Sequence, residues 1–340
     1  SPPGREQVAS RRKIRVEDAA HARGPEPAHA SRVAGPARSM LFALATSLSC
    51  WLPQRLPECV EEAPPGDGPR IETGGDPVLL ATGDIVDEEL TAAGATADLL
   101  DHYDGQIATL GDNFNPEGRL EDALQRFSMT WGRHRWRTRP AVGNHEYMTS
   151  HAAAYYAYFC SAAGTPFDGW YSYDLGAWHI VVLNSICADY YSDGEGPACT
   201  EGSRQMRWLE ADLAAHPARC TLAYWHHPLF SNDTAGEGDH VALRPAWRLL
   251  YRAGAELVLN GHVHDYERFA PMTPDGELDE AHGIRELIVG TGGARQVTLS
   301  TVRAHDERHF SGVFGIARLT LHPDSYDWQF IATDGSVRDE

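Results

Sequence analysis

The sequence predicts a layered α/β fold, and three observations carry that prediction. From Pro77 onward, apolar runs of strand length alternate with longer segments of helical period. Five of those runs stop at side chains able to bind metal, four of them with a glycine just before. With 340 residues, 42% of them hydrophobic, the chain is long enough to bury the core that stacked layers need. Strand and helix in alternation argue for βαβ units rather than separate β and α domains.

Residues 1–74 are rich in Pro, Ala, Arg and Glu and show no sustained period. They end in APPGDGPRIETGGDP, which reads as a linker, so this stretch is expected to be a disordered leader outside the core. Inside it Arg32 and Arg38 precede MLFALATSL, which makes residues 40–50 resemble a secretory signal. Residues 75–340 form the expected single domain. Its strands are read at VLLATGD, QIATLGD, RPAVGN, HIVVLNS, CTLAYWHH and AELVLNGHVH. Its helices are read at EELTAAGATADLLDHY, LEDALQRFSMTWGR, SRQMRWLEADLAAH and RPAWRLLYRAG. After Gly283 the segments IRELIVGTGG, GIARLTLHP and SYDWQFIAT are expected as antiparallel strands closing a second sheet.

Charge and cysteine usage narrow the class. Acidic residues outnumber basic ones 48 to 29, for a net charge of −19, and a field of that sign repels nucleic-acid duplexes and anionic membranes. No apolar run approaches the roughly 18 residues that span a bilayer, so an integral membrane protein is not expected. Of six cysteines, Cys187 and Cys199 flank the polar loop ADYYSDGEGPA, which a disulfide would suit. Together with the signal-like segment this reads as export to the cell envelope or beyond, against a cytoplasmic alternative.

The chemistry sits at the strand ends. They are TGD at Asp84, LGDN at Asp112 and Asn113, VGNHE at Asn144 to Glu146, YWHHP at His226 and His227, and NGHVH at His262 and His264. In an open α/β sheet, ligand sites lie beyond the carboxyl ends of the strands, so five such ends converge on one crevice. Two aspartates, an amide and several imidazoles are the mixed oxygen and nitrogen set that suits Zn, Mn or Fe, and the number of donors points to two ions. Taken singly, each motif also fits a turn, a helix cap or a packed histidine. Asp84 to Asp112 is 28 residues, Asp112 to Asn144 is 32 and His226 to His262 is 36, each about one βα unit, and it is the order that makes the set specific.

The ordered set GD, GDN, GNHE, HH, GHVH closely resembles the calcineurin-like metallophosphoesterase family. YWHHPLF and GHVHDYERFAP resemble its purple acid phosphatase-like bacterial branch. The resemblance spans about 77 to 335 and implies a four-layer α/β/β/α sandwich of two mixed sheets, with a dinuclear site at one edge. It implies that Asp84 and His264 hold a first di- or trivalent ion, that Asn144, His226 and His262 hold a second, and that Asp112 bridges both. His145 matches the histidine that meets the scissile phosphate and assists the leaving group. Asn144, His227 and Arg268, with Tyr147, are candidates to contact substrate, and Glu146 is read as supporting the ligands.

The activity this resemblance implies is hydrolysis of small-molecule phosphate monoesters, in which a metal-bound hydroxide attacks phosphorus in line. A phosphodiesterase or nucleotidase using the same metal pair is the nearest alternative, and a non-catalytic metal- or phosphate-binding module is a third reading. Substrate choice is assigned to loops at 114–118, 187–202 and 231–240. YYAYF at 155–159 reads as core, Trp131 to Trp136 as a packed helix end, and GTGGA at 290–294 as a turn after a strand.

Two positions depart from the family pattern. Val86 stands where one version of the first motif carries a ligand, leaving that ion one protein ligand fewer. Asn115 stands where purple acid phosphatases carry an iron-bound tyrosinate. Without a phenolate, the iron-loaded protein is expected to lack a visible charge-transfer band; an absorption spectrum with such a band would contradict this reading of Asn115.

Overall fold

Two seven-stranded sheets lie face to face, and each is covered on its outer side by helices. The computed structural model describes residues 4–7, 58–60, 75–87, 89–187, 196–218, 220–233, 239–297 and 301–340. The chain divides into two units, Ser1–Arg11 with Pro57–Glu340 and Arg12–Leu56, and all described residues belong to the first.

The chain runs through β1 (Gly4–Gln7), β2 (Val78–Thr82), α1 (Thr91–Leu100), β3 (Gln106–Leu110), the single-turn α2 (Leu120–Asp122) and β4 (Thr138–Ala141). It continues with α3 (Ala153–Phe159), β5 (Tyr171–Leu175), β6 (Trp178–Val182), α4 (Arg204–Ala215), β7 (Cys220–Tyr224), α5 (Arg244–Ala253) and β8 (Leu257–Asn260). The last elements are β9 (Tyr266–Phe269), β10 (Arg285–Val289), β11 (Asp306–Phe310), β12 (Gly315–Leu321), β13 (Ser325–Ala332) and β14 (Val337–Asp339). The first sheet runs β1-β13-β12-β2-β3-β4, with β14 also on β13, and β2, β3 and β4 are parallel. The second runs β11-β9-β10-β8-β7-β6-β5, with β6, β7, β8 and β10 parallel.

Side-chain alternation builds the layers, because successive residues of a strand point to opposite faces. Leu79 and Ala81 of β2 meet Ile180, Val182, Leu222 and Leu259 between the sheets, whereas Leu80 faces α1 through Ala93, Ala97 and Leu100. On the far side Val181, Ala223 and Val258 pack against Met206 and Leu209 of α4 and Trp247 and Leu250 of α5. The result is the α/β/β/α sandwich. Local chemistry sets the helix ends: the Ser203 hydroxyl accepts the Met206 N–H at 3.4 Å, and Gly254 closes α5 in the left-handed region (φ 78°). The aromatic run of α3 is core. Tyr158 and Phe159 pack around Phe114 and Phe127 at 5.6–5.7 Å, which anchors the loop that follows Asp112.

The C-terminal strands differ from expectation. β10 lies parallel to β8 inside the second sheet, because its five residues are buried on both faces and fit an interior parallel strand. β12 and β13 extend the first sheet along β2 rather than closing a second. Within the stretch read as leader, Gly4–Gln7 pairs antiparallel with β13, and the Val60 N–H donates to Ala157 O at 2.9 Å. The signal-like segment 40–50 lies outside the described residues. A disulfide joins Cys187 to Cys199, with Cα atoms 5.4 Å apart. Among the described residues no helix is long and apolar enough to cross a membrane.

Where the linker enters the domain, His322 sits between Asp76 and Asp327, and its backbone carbonyl accepts the Trp178 indole N–H at 2.7 Å. Burial lowers the His322 pKa, but hydrogen bonds to Asp76 and Asp327 outweigh it and leave the pKa raised. A histidine raised on folding adds stability below its unfolded pKa, and this is lost as pH rises through the folded value. His322→Gln is therefore expected to destabilise by on the order of 1 kcal/mol below about pH 6.5 and to converge with wild type at higher pH, read by urea midpoints across pH.

Candidate metal centre

Parallel neighbours β2, β3 and β4 end side by side, so Asp84, Asp112 and Asn144 follow at one edge of the first sheet. β7 and β8 do the same in the second sheet with His226, His262 and His264. The two edges are stitched together: Gly83 N–H donates to Val289 O at 2.8 Å, and His226 Nδ1 lies 2.8 Å from Leu110 O. At these ends Asp84 (φ 57°), Asp112 (φ 49°) and His262 (φ 70°) all occupy the left-handed region, a strain that clusters where function demands it. The preceding glycines allow the close approach. A Cβ on Gly143 would collide with Asp112 Oδ1, and one on Gly111 would collide with the His226 ring.

All six residues predicted as ligands come together. Asp84 Oδ2 accepts the His262 N–H at 2.8 Å, and its Oδ1 lies 3.3 Å from His264 Nε2. Asp112 Oδ1 accepts the His145 N–H at 2.9 Å, while Oδ2 lies 3.3 Å from His226 Nε2. His226 Nε2 also lies 2.9 Å from Asn144 Oδ1 and 3.2 Å from His262 Nδ1. One donor atom each from Asp84, Asp112 and His226 lies within 4.8 Å of the others, and so it does for His226, His227 and His262.

This donor set fits a cation. A single proton on His226 Nε2 cannot serve a carboxylate, an amide oxygen and a second imidazole nitrogen at once, whereas an ion among them can. Among the described residues buried Asp84 Oδ1 has no well-formed hydrogen bond, its neighbour being His264 Nε2 at 3.3 Å. With Nδ1–H directed at the carbonyls of Leu110 and Arg295 (2.8 and 2.7 Å), His226 and His264 both turn Nε2 inward, which is the arrangement that orients metal-binding imidazoles. The electrostatics agree. Burial lowers the pKa of both rings, but Asp112 beside His226 and Asp84 beside His264 push them up to about 9. Burial likewise raises the Asp112 carboxyl, and His226 and His145 more than reverse it, holding Asp112 well below the usual range.

The loops are fixed by Glu146. Its buried carboxylate accepts four backbone N–H groups, from Gly143 (2.7 Å), Asp112 (3.1 Å), Asn113 (2.7 Å) and Phe114 (3.2 Å), and so ties the Asp112 and Asn144 loops into one unit. Burial and the neighbouring Asp112 raise its pKa to about 7. His145 sits at the rim with a quarter of its side chain exposed, Nδ1 on Pro116 O at 2.5 Å and Nε2 3.7 Å from Asp112 Oδ2.

The other candidates divide. His227 joins the cluster: Ser185 Oγ lies 2.8 Å from its Nδ1, and its ring lies 4.2 Å from that of His262. Burial and three neighbouring histidines push its pKa well down, so it is neutral. Arg268 does not join. It lies on β9, bound to Asp339 at 2.7 Å and to Glu307, with Trp328 beneath it. Tyr147 is buried and accepts from Asn184 Nδ2 at 2.8 Å. Val86 is buried among Ile85 and Ala93, its carbonyl accepting the Asn115 N–H at 3.2 Å. Among the described residues Asn115 Oδ1, which is buried, has no hydrogen-bond partner. Sequence reasoning missed Ser185 and His240, whose ring lies 3.9 Å from that of His227 at a 38° tilt. Only the place of His240 in the polar loop 231–240 hinted at it.

The profile of the calcineurin-like phosphoesterases matches residues 52–266, which is more than half of the chain. The chain belongs to this family. Relatives of this calcineurin-like phosphoesterase include purple acid phosphatase 15 of Arabidopsis thaliana, 30% identical over 165 residues, which covers 45% of this chain and 29% of that protein. Purple acid phosphatase 18 of the same plant is 25% identical over 253 residues, 68% of this chain and 54% of the relative. The chain thus spans well under two thirds of these relatives' length. In fold it is similar to a purple acid phosphatase from yellow lupin (Lupinus luteus) seeds, with TM-score 0.65 and 17% identity over 77% of this chain and 52% of that one.

If Gly143 is glycine because Asp112 needs its space, Gly143→Ala is expected to lower bound metal per chain several-fold and to cost about 1–3 kcal/mol. Gly94→Ala, in open space on α1, serves as control and is expected to keep its metal and gain about 0.5–1 kcal/mol. Elemental analysis with denaturant melts reads both.

Proposed function

We propose that this calcineurin-like phosphoesterase hydrolyses phosphate esters in a metal-dependent reaction, with monoesters of small molecules as its substrates and residues 75–340 as the catalytic domain. The observation that carries the reading is the convergence of Asp112, Asn144 and His262 on His226 Nε2, within 2.9–3.3 Å. Bound among these side chains, two di- or trivalent cations such as Fe, Zn or Mn supply positive charge against the phosphoryl oxygens and make water nucleophilic near neutral pH.

The protein's own groups supply the rest. Asp112 would contribute to holding both ions, since its Oδ2 lies 3.3 Å from His226 Nε2 and a donor atom of it lies within 4.8 Å of both Asp84 and His226. Asp84 and His264 are assigned to one ion, and Asn144, His226 and His262 to the other. His227, neutral and held by Ser185, offers a hydrogen bond without competing charge. Attack is assigned in line, opposite the leaving oxygen. His145 meets that oxygen: when protonated, its Nδ1–H stays on Pro116 O while Nε2–H, 3.7 Å from Asp112 Oδ2, is turned to the Asp112 side of the rim and passes a proton to the departing alkoxide. Export of the protein is proposed on the disulfide between Cys187 and Cys199.

Chelation is expected to abolish turnover of para-nitrophenyl phosphate, and metal addition to restore it. Faster turnover of bis(para-nitrophenyl) phosphate than of the monoester would instead favour a diesterase, and two bound metals without turnover of either ester would favour a binding module. His145→Ala is expected to lower kcat about 10²–10³-fold on alkyl phosphates and less on para-nitrophenyl phosphate, whose anion departs without a proton. Equal losses on both would remove His145 from leaving-group assistance.

A further inference from the structure

Two more buried carboxyl groups lie on the helix-covered face of the second sheet. Glu286 belongs to β10 and Glu267 to β9, where it stands opposite Ile288, two residues after Glu286. Side-chain alternation therefore puts both on the face where Val258, Phe269 and Ile288 pack with Trp247 and Leu250 of α5. Both are buried. Burial pushes the pKa of both groups up, to about 7 for Glu267, and the donors that each group meets oppose the rise. A carboxyl group in an apolar layer is costly unless its oxygens find donors, and packing alone would be served as well by leucine.

What these groups hold is the run that follows His226 and His227. Glu286 accepts the N–H groups of Leu229 at 2.9 Å and Phe230 at 3.2 Å. Glu267 accepts the Ser231 hydroxyl at 2.9 Å and the Asn232 N–H at 2.7 Å. The remaining N–H, that of Ser231, goes to Asp239 Oδ1 at 3.1 Å. Four consecutive N–H groups thus end on three carboxyl groups, while the Phe230 ring enters the apolar layer 5.4 Å from Trp247. The His240 N–H then donates to Pro228 O at 2.9 Å, closing the run on itself. That closure sets the His240 ring 3.9 Å from His227 and 5.9 Å from His262.

We propose that Glu286 and Glu267 are positioning residues: by pinning Leu229–Asn232 they fix His240 against His227, and so set which ester leaving groups fit beside the metal centre. A run held only by water would settle in several arrangements, whereas one whose successive donors each have a buried acceptor has a single arrangement. A wall fixed in this way discriminates between substrates by shape. The effect on leaving groups rests on the ester-hydrolase reading; the pinning itself does not.

The test compares the full metal-loaded chain with Glu286→Gln, in which an NH2 group replaces one of the two acceptors. Hydrogen exchange of residues 229–233 is expected to quicken about tenfold or more, while β7 and β8 keep their protection. The ratio of kcat/KM for 1-naphthyl phosphate to that for para-nitrophenyl phosphate is expected to shift at least about threefold, with bound metal unchanged. His240→Ala is expected to shift the ratio in the same direction, and the double variant to go no further than the larger single shift, because both act through one ring. Glu267→Gln repeats the comparison at Ser231 and Asn232 if Glu286→Gln does not fold. Unchanged exchange, a constant ratio despite faster exchange, or additive shifts overturn the proposal. Failure of wild type to turn over any ester would instead defeat the ester-hydrolase reading, and the exchange rates alone would then judge the pinning.

Discussion

A carboxylate shut off from bulk solvent organises the site. Glu146 is buried beside Asp112, where an isolated carboxylate would be costly, and four backbone N–H groups offset that cost. Those donors belong to the turn after β3 and the turn after β4, so satisfying one side chain fixes the Asp112 and Asn144 loops relative to each other. The left-handed backbone at Asp112 persists because its surroundings determine it more than once: by Glu146 from one side, by the His145 N–H from another, and by the Phe114 ring packed into the aromatic cluster behind it.

The second constraint is charge. Asp84 and Asp112 lie among imidazoles that their field keeps protonated to about pH 9 in the absence of an ion. A crevice that stabilises two buried imidazolium groups is equally suited to multivalent cations, and it resolves the excess negative charge locally inside a chain whose net charge is −19. His227 behaves in the opposite way: it is neutral, because burial and like neighbours act together.

Much of this was legible in the residues themselves. A metal ligand that follows a strand needs a turn, the turn needs glycine or a left-handed residue, and GD, GDN, GNHE and GHVH carry both requirements in adjacent letters. A layered α/β class was legible too, because strand-length apolar runs alternate with helical-period segments, while the four layers followed only from the family resemblance. Arg268 was not: GHVHDYERF places it near the site along the chain, but its partner Asp339 is 71 residues away and arrives only when β14 joins β13. Nor was His240, because a polar loop carries no period from which a ring position can be read.

The sequence by itself determined which side chains stand at the ends of strands and which strands are buried on both faces, because these follow from covalent neighbours and short-range periodicity. Only the tertiary structure decided that β10 runs parallel to β8, that β12 and β13 join β2, and which four amides Glu146 serves. Each depends on which surfaces remain open once the two sheets have closed on each other, a competition among distant segments that no local pattern encodes.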